Sequence, residues 1–174
     1  MDYGDEDHAF RVTVEVVPRQ RWMPRQPLRV GQVDGVDVEL VGVSVDNYVH
    51  VRLGAADTAE RDRLTRVYTD AWERWAATAR ETTAGPPDKP AELLGQVSVR
   101  VADELGTLYG PFMAEVGMDG AEWMLRRSFG PRPPVDVHEL RLTLQAPGQS
   151  EVSVSVALSR VDPSSCTGEE PRRC

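Results

Sequence analysis

The chain has 174 residues, 40% hydrophobic and 28% charged, a composition that suits one globular domain with a sizeable core and excludes a disordered chain. Its net charge of −8 argues against nucleic acid or an anionic membrane as partner, and no apolar run approaches the ~20 residues needed to cross a bilayer. With Met1 taken as the native start, the acidic opening Met1–His8 lacks the cationic and apolar parts of a secretory signal, so the expectation is a cytoplasmic protein without membrane insertion.

Residues Phe10 to Val16 alternate, with Phe10, Val12, Val14 and Val16 on one face, which predicts a strand. A proline-flanked loop follows from Pro18 to Pro27. Leu28–Val33 and Val36–Val45 flank Asp34-Gly35, a dipeptide suited to a two-residue hairpin turn. The alternation in the second of these strands changes phase around Gly42, which predicts a β-bulge there. Asp46-Asn47 turns the chain, and Tyr48–Leu53 runs back as a further strand.

The period then becomes helical. Leu64, Val67, Tyr68, Ala71, Trp72 and Trp75 form one apolar stripe, expected to pack on the sheet. Asp57 and Glu60 resemble a capping box, and the helix is expected to end near Glu81, ahead of a proline-rich linker. Beyond that linker the strand period returns around Val97–Val101, Leu108–Val116, Glu122–Phe129, Leu140–Leu144 and Val152–Leu158, with a turn expected at Gly117–Gly120.

About nine short strands with closely spaced turn signals predict a mainly β fold, read as an antiparallel β-sandwich with one inserted amphipathic α-helix. The expected organisation is a disordered tail at 1–8 and a single domain at 9–161. That domain carries a helical insertion at 57–83 and a linker at 84–92, and a second disordered tail covers 162–174. Both cysteines, Cys166 and Cys174, lie in that last tail and are read as free thiols, a regulatory or intermolecular disulfide being the alternative.

The stretch Asp103-Glu-Leu-Gly-Thr-Leu-Tyr109, with Phe129-Gly-Pro-Arg-Pro-Pro134 and Glu139-Leu-Arg-Leu-Thr-Leu144, resembles immunoglobulin-like sandwich domains of bacterial, largely actinobacterial, proteins. The resemblance covers the last third of the domain and implies an immunoglobulin-like fold, not an activity. In physical terms Asp103 can bond the turn backbone, Gly106 can supply a positive φ, and Tyr109 can return its hydroxyl to a backbone carbonyl.

No nucleophile elbow, phosphate loop, dinucleotide fingerprint or metal-ligand spacing is present in the sequence, so no catalytic residue, metal or cofactor is assigned. His8, His50 and His138 are dispersed and read as ordinary surface or edge residues. The segment that stands out is the loop 18–29. Arg19, Arg21, Arg25 and Arg29 fall between Val16 and Val33 without a single acidic residue, and Trp22 and Met23 stand between two prolines. Arginine, tryptophan and methionine are enriched at interfaces. Either Trp22 caps the core while the arginines pair with nearby acids, or the loop docks another protein with an acidic surface through Arg19, Arg21, Trp22, Met23 and Arg25. Arg126, Arg127 and Arg132 extend the patch if the fold brings them near. The functional expectation is a non-catalytic protein-binding or scaffold module. The alternatives are a small-ligand or carbohydrate-binding sandwich using Trp75 or Trp123 as platforms, and an enzyme of unrecognised type.

Overall fold

A computed structural model describes residues 19–79, 83–119 and 122–160. The expected strand Phe10–Val16, both expected tails and both cysteines lie outside these residues. The strands are β1 (Gln20–Trp22), β2 (Leu28–Val33), β3 (Val36–Val45), β4 (Val49–Ala55), β5 (Ser98–Asp103), β6 (Leu108–Asp119), β7 (Glu122–Gly130), β8 (Glu139–Gln145), β9 (Val152–Ala157) and β10 (Ser159–Arg160). One α-helix, α1 (Ala59–Thr78), and one 3₁₀ helix (Pro90–Gln96) lie between β4 and β5.

These ten strands form a single antiparallel sheet that curls into a nearly closed barrel of eight places, in the order β10-β1-β3-β4-β7-β6-β5-β8-β9. β1 and β2 share one place, because β1 pairs with Val43–Val45 and β2 with Val36–Leu40 of the same β3. β9 and β10 share another, being separated only by Leu158, and β10 pairs with β1 to bring the ring round.

The immunoglobulin-like two-sheet sandwich is therefore overturned. Inward-outward alternation is the same along a sandwich strand and a barrel strand. What separates the two folds is whether edge strands find each other, and here they do. β5 pairs with β6 on one side and β8 on the other. Among the described residues the closure is thin: only Val101↔Tyr109 and Ala102↔Leu108 join β5 to β6, and only Gln20↔Arg160 and Arg21↔Ser159 join β1 to β10.

Val36, Val38, Leu40, Val43, Val45, Val49, Val51, Leu53, Leu125, Phe129, Leu140, Leu142 and Leu144 fill the interior. The bulge near Gly42 is present as a register shift between Leu40 and Gly42, with Val41 left over, so both halves of β3 aim their valines inward. The β6–β7 hairpin differs from expectation. Pairing runs to Asp119↔Glu122, which places Gly117 and Met118 in the strand.

The helix also departs from expectation. Thr58 caps it, its side chain accepting from the Arg61 amide at 3.3 Å, while Asp57 forms an ion pair with Arg61 at 2.6 Å. The last helical residue is Thr78. Leu64 reaches the core and Trp123 Nε1 donates to Thr65 Oγ1 at 3.0 Å, but Val67 and Trp72 beyond them are exposed. Tyr68, Trp72 and Trp75 stack on one another instead of on the sheet. The reason lies in part of the expected linker. Residues 90–96 form the 3₁₀ helix, whose fully buried Ala91 and Leu94 join the core. Arg127 fastens it by donating to the Val97 and Gly95 carbonyls.

Candidate functional site

Two rows of outward-facing residues cross the barrel wall formed by β1, β3, β4, β7 and β6. In the first, Arg21, Ser44, His50 and Ser128 stand opposite one another on successive strands. In the second, Gly42, Arg52, Arg126 and Glu115 do the same. Strand alternation explains why these polar side chains face out, since Val49, Val51 and Leu53 take the inner positions of β4 between and beside His50 and Arg52.

Arg52 is the centre of this face. Burial, followed by repulsion from Arg21 and Arg126, holds its guanidinium below the ordinary arginine range. Like charges directly opposite on neighbouring strands are destabilising, and Arg52 faces Arg126 in that way. The Nε atoms of Arg21 and Arg52 are buried without a hydrogen-bond partner. Among the described residues neither guanidinium is paired with a carboxylate. Arg126 has Glu115 at 3.7 Å, on a partly exposed edge.

Gly42 makes room for this arrangement. A methyl group there would meet the Trp22 carbonyl oxygen at 3.0 Å, Arg52 Nη2 at 3.3 Å and Met23 Cγ at 3.5 Å. The Arg52 guanidinium thus lies over the missing side chain, beside Met23. Trp22 belongs to the paired strand β1, so its carbonyl has little freedom to retreat. Gly42→Ala is expected to cost about 1 kcal/mol in thermal unfolding and to displace Arg52 from the face.

A buried polar chain underlies the same wall. The Asp46 carboxylate feels burial, which raises its pKa. Bonds from the Tyr48 amide, from His50 and from the Asn47 amide together outweigh that and hold the carboxylate below the ordinary aspartate range. An ionised carboxylate only accepts, so His50 Nε2–H donates to Asp46 Oδ1 at 2.9 Å, while Nδ1 is hydrogen-bonded to Ser128 Oγ at 2.8 Å. Arg126 Nη2 is 3.3 Å from both ring nitrogens, which places its guanidinium against the ring face. The chain has the residue types of a Ser-His-Asp triad, yet Ser128 and His50 are both buried and Ser128 is closed to substrate. It serves as a fixed floor under Arg126.

Apolar side chains border the arginines. Met23 is 54% exposed on one side. On the other, the exposed rings of Tyr48 and Phe112 pack at 4.5 Å, next to exposed Met113.

The loop residues expected to bind divide in their roles. Arg21 and Met23 belong to this face, and Arg25 is exposed on the loop beyond it. Arg19 is half-buried and occupied, donating through Nε and Nη2 to the Asp46 carbonyl at 2.9 and 2.5 Å. Trp22 is half-buried and packs against the core, and Arg29 pairs with Asp37 at 2.7 Å. Of the three more distant arginines, only Arg126 joins the face; Arg127 is engaged with the 3₁₀ helix. Sequence reasoning missed His50, Arg52, Tyr48 and Phe112. The outward phase of His50 and Arg52 was readable from β4, but their neighbours were not.

The turn motif lies elsewhere, at the β5–β6 seam. Asp103 accepts from the amides of Leu105 at 3.0 Å and Thr107 at 2.8 Å, and Gly106 has φ of 84°. The Tyr109 hydroxyl donates to Asp103 Oδ2 at 2.6 Å, and not to a backbone carbonyl. Trp123 is only 2% exposed, which removes it as a sugar platform. Among the described residues no cluster of His, Cys, Asp or Glu has the geometry to hold a metal, and no helix is long and apolar enough to cross a membrane.

No family model matches the chain, and no curated protein matches it. A solved structure, the conserved domain protein from Bacillus anthracis, is distantly similar, with 10% identity and a TM-score of 0.32. The match covers 80% of this chain and 50% of that one, so the chain spans about half the length of that protein. A likeness at this level identifies no family.

Proposed function

We propose that the protein is a non-catalytic docking module that binds an acidic surface of another protein through the barrel face centred on Arg52. The observation that carries this reading is that Arg52 stands opposite Arg126 and near Arg21, with neither Arg21 nor Arg52 paired with a carboxylate among the described residues, in a chain of net charge −8. Such a cluster repels itself in the free protein and gains most when a partner supplies the opposite charge. Met23, Tyr48 and Phe112 supply the apolar contacts that accompany arginine in binding hot spots. Electrostatic complementarity of this kind speeds association and selects the partner.

The test compares wild-type bait with an Arg21→Glu/Arg52→Glu bait in capture from source-cell lysate, followed by titration of the purified partner at two salt concentrations. An acidic protein held by the wild type and lost by the variant, with affinity falling as salt rises, is the expected result. A partner held equally by both baits overturns the reading.

A further inference from the structure

We infer that the group held by Arg21, Arg52 and Arg126 is a phosphate carried on a side chain of the partner protein, an inference that rests on the docking reading above. One carboxylate brings a single negative charge and two oxygens, which one guanidinium fork satisfies. Here Arg52 stands directly opposite Arg126 on the neighbouring strand, and Arg126 and Arg21 are both near enough for their charges to lower its proton affinity. A phosphorylated side chain brings a charge of roughly −1.5 to −2 at neutral pH and three acceptor oxygens, a better match to three forks. The Ser44 hydroxyl stands between Arg21 and His50 in the neighbouring row and adds a neutral donor.

The extent of the patch selects the carrier. Asp46 lies beyond the cluster on one side, and Glu115 closes the arginine row on the other. The cationic area therefore admits one phosphate and does not continue as a track for a polyanion. Nucleic acid and anionic membranes present many charges, and the acidic remainder of this chain repels them.

The full chain, labelled with ¹⁵N, is titrated at constant ionic strength with inorganic phosphate, with acetate and with a hexaglutamate peptide. The readout is the arginine Nε–H resonances. Saturable shifts at Arg21 and Arg52 with phosphate, at an affinity at least about tenfold above acetate, are expected. Arg52→Lys keeps the charge but loses the fork, and should weaken phosphate binding by about tenfold. Phosphate binding no better than acetate, or unchanged by Arg52→Lys, overturns the inference. If hexaglutamate still shifts these resonances in that case, docking to acidic surfaces survives alone; if none of the three probes does, both readings fall.

Discussion

Replacing Arg52 by methionine is expected to raise the melting temperature and, in the same protein, to weaken partner binding. Most substitutions at a structural arginine do the opposite to stability. Arg52 is half-buried, its Nε has no hydrogen-bond partner, and Arg21 and Arg126 repel it. Methionine keeps an unbranched apolar stem over Gly42 and beside Met23 while removing the charge. Solvent screening on this partly open face limits the gain to about 1 kcal/mol, a rise of roughly 2–4 °C for a chain of this size. Loss of a central arginine from a binding surface should weaken the partner at least tenfold, or about 1.4 kcal/mol or more. Thermal unfolding and titration of the same preparation check both halves. Arg29→Met removes an arginine already paired with Asp37 and is the control that should not stabilise. A lower melting temperature with unchanged binding would show Arg52 to be structural.

The largest loss of stability is expected from Asp103→Ala. The side chain is 7% exposed and accepts three hydrogen bonds, one of them from the Tyr109 hydroxyl, which lies on the other strand of the seam. Among the described residues only two pairs join β5 to β6, so this clamp carries much of the closure there. Its removal leaves two amides and a buried hydroxyl without their acceptor, at a cost on the order of 3 kcal/mol, read as a lower midpoint in urea unfolding.

The same contact has a pH signature. Burial raises the pKa of Asp103, but the bonds from Tyr109, Thr107 and Leu105 together outweigh it and leave the carboxylate below 3.8. A group whose folded pKa is depressed stabilises above its unfolded value and loses that contribution as pH falls through the folded one. Wild-type stability should therefore drop below about pH 4 more steeply than that of Asp103→Asn, which retains acceptor capacity but has no proton to take up there. Identical acid limbs for the two proteins would show that the carboxylate charge contributes nothing to the seam.

How far the sequence reached differs between elements. Alternation identified β2, β3, β4 and the later strands, and the phase change located the bulge at Gly42, because each depends on neighbours a few residues apart. The helix was legible as a helix, but the destination of its aromatic stripe was not. A 3₁₀ helix with too short a period to stand out took the place at the core. The loop arginines were visible as a charge reversal along the chain, yet the reading could not separate Arg21, which faces its fellows, from Arg19, which is tied to the Asp46 carbonyl.

By itself, then, the sequence determined a mainly β chain, one amphipathic helix, a cationic loop in an acidic protein and the Asp103–Tyr109 turn. All of these are written in local spacing and composition. Only the tertiary structure decided that the strands close into a barrel instead of dividing into two sheets, because that depends on pairing between β1 and β10 and between β5 and β6. It alone also set Arg126 opposite Arg52, seventy-four positions away along the chain, and brought Arg21 to their side. Charge proximity across strands follows from register, and register between distant strands is settled when the whole core packs, not by any segment alone.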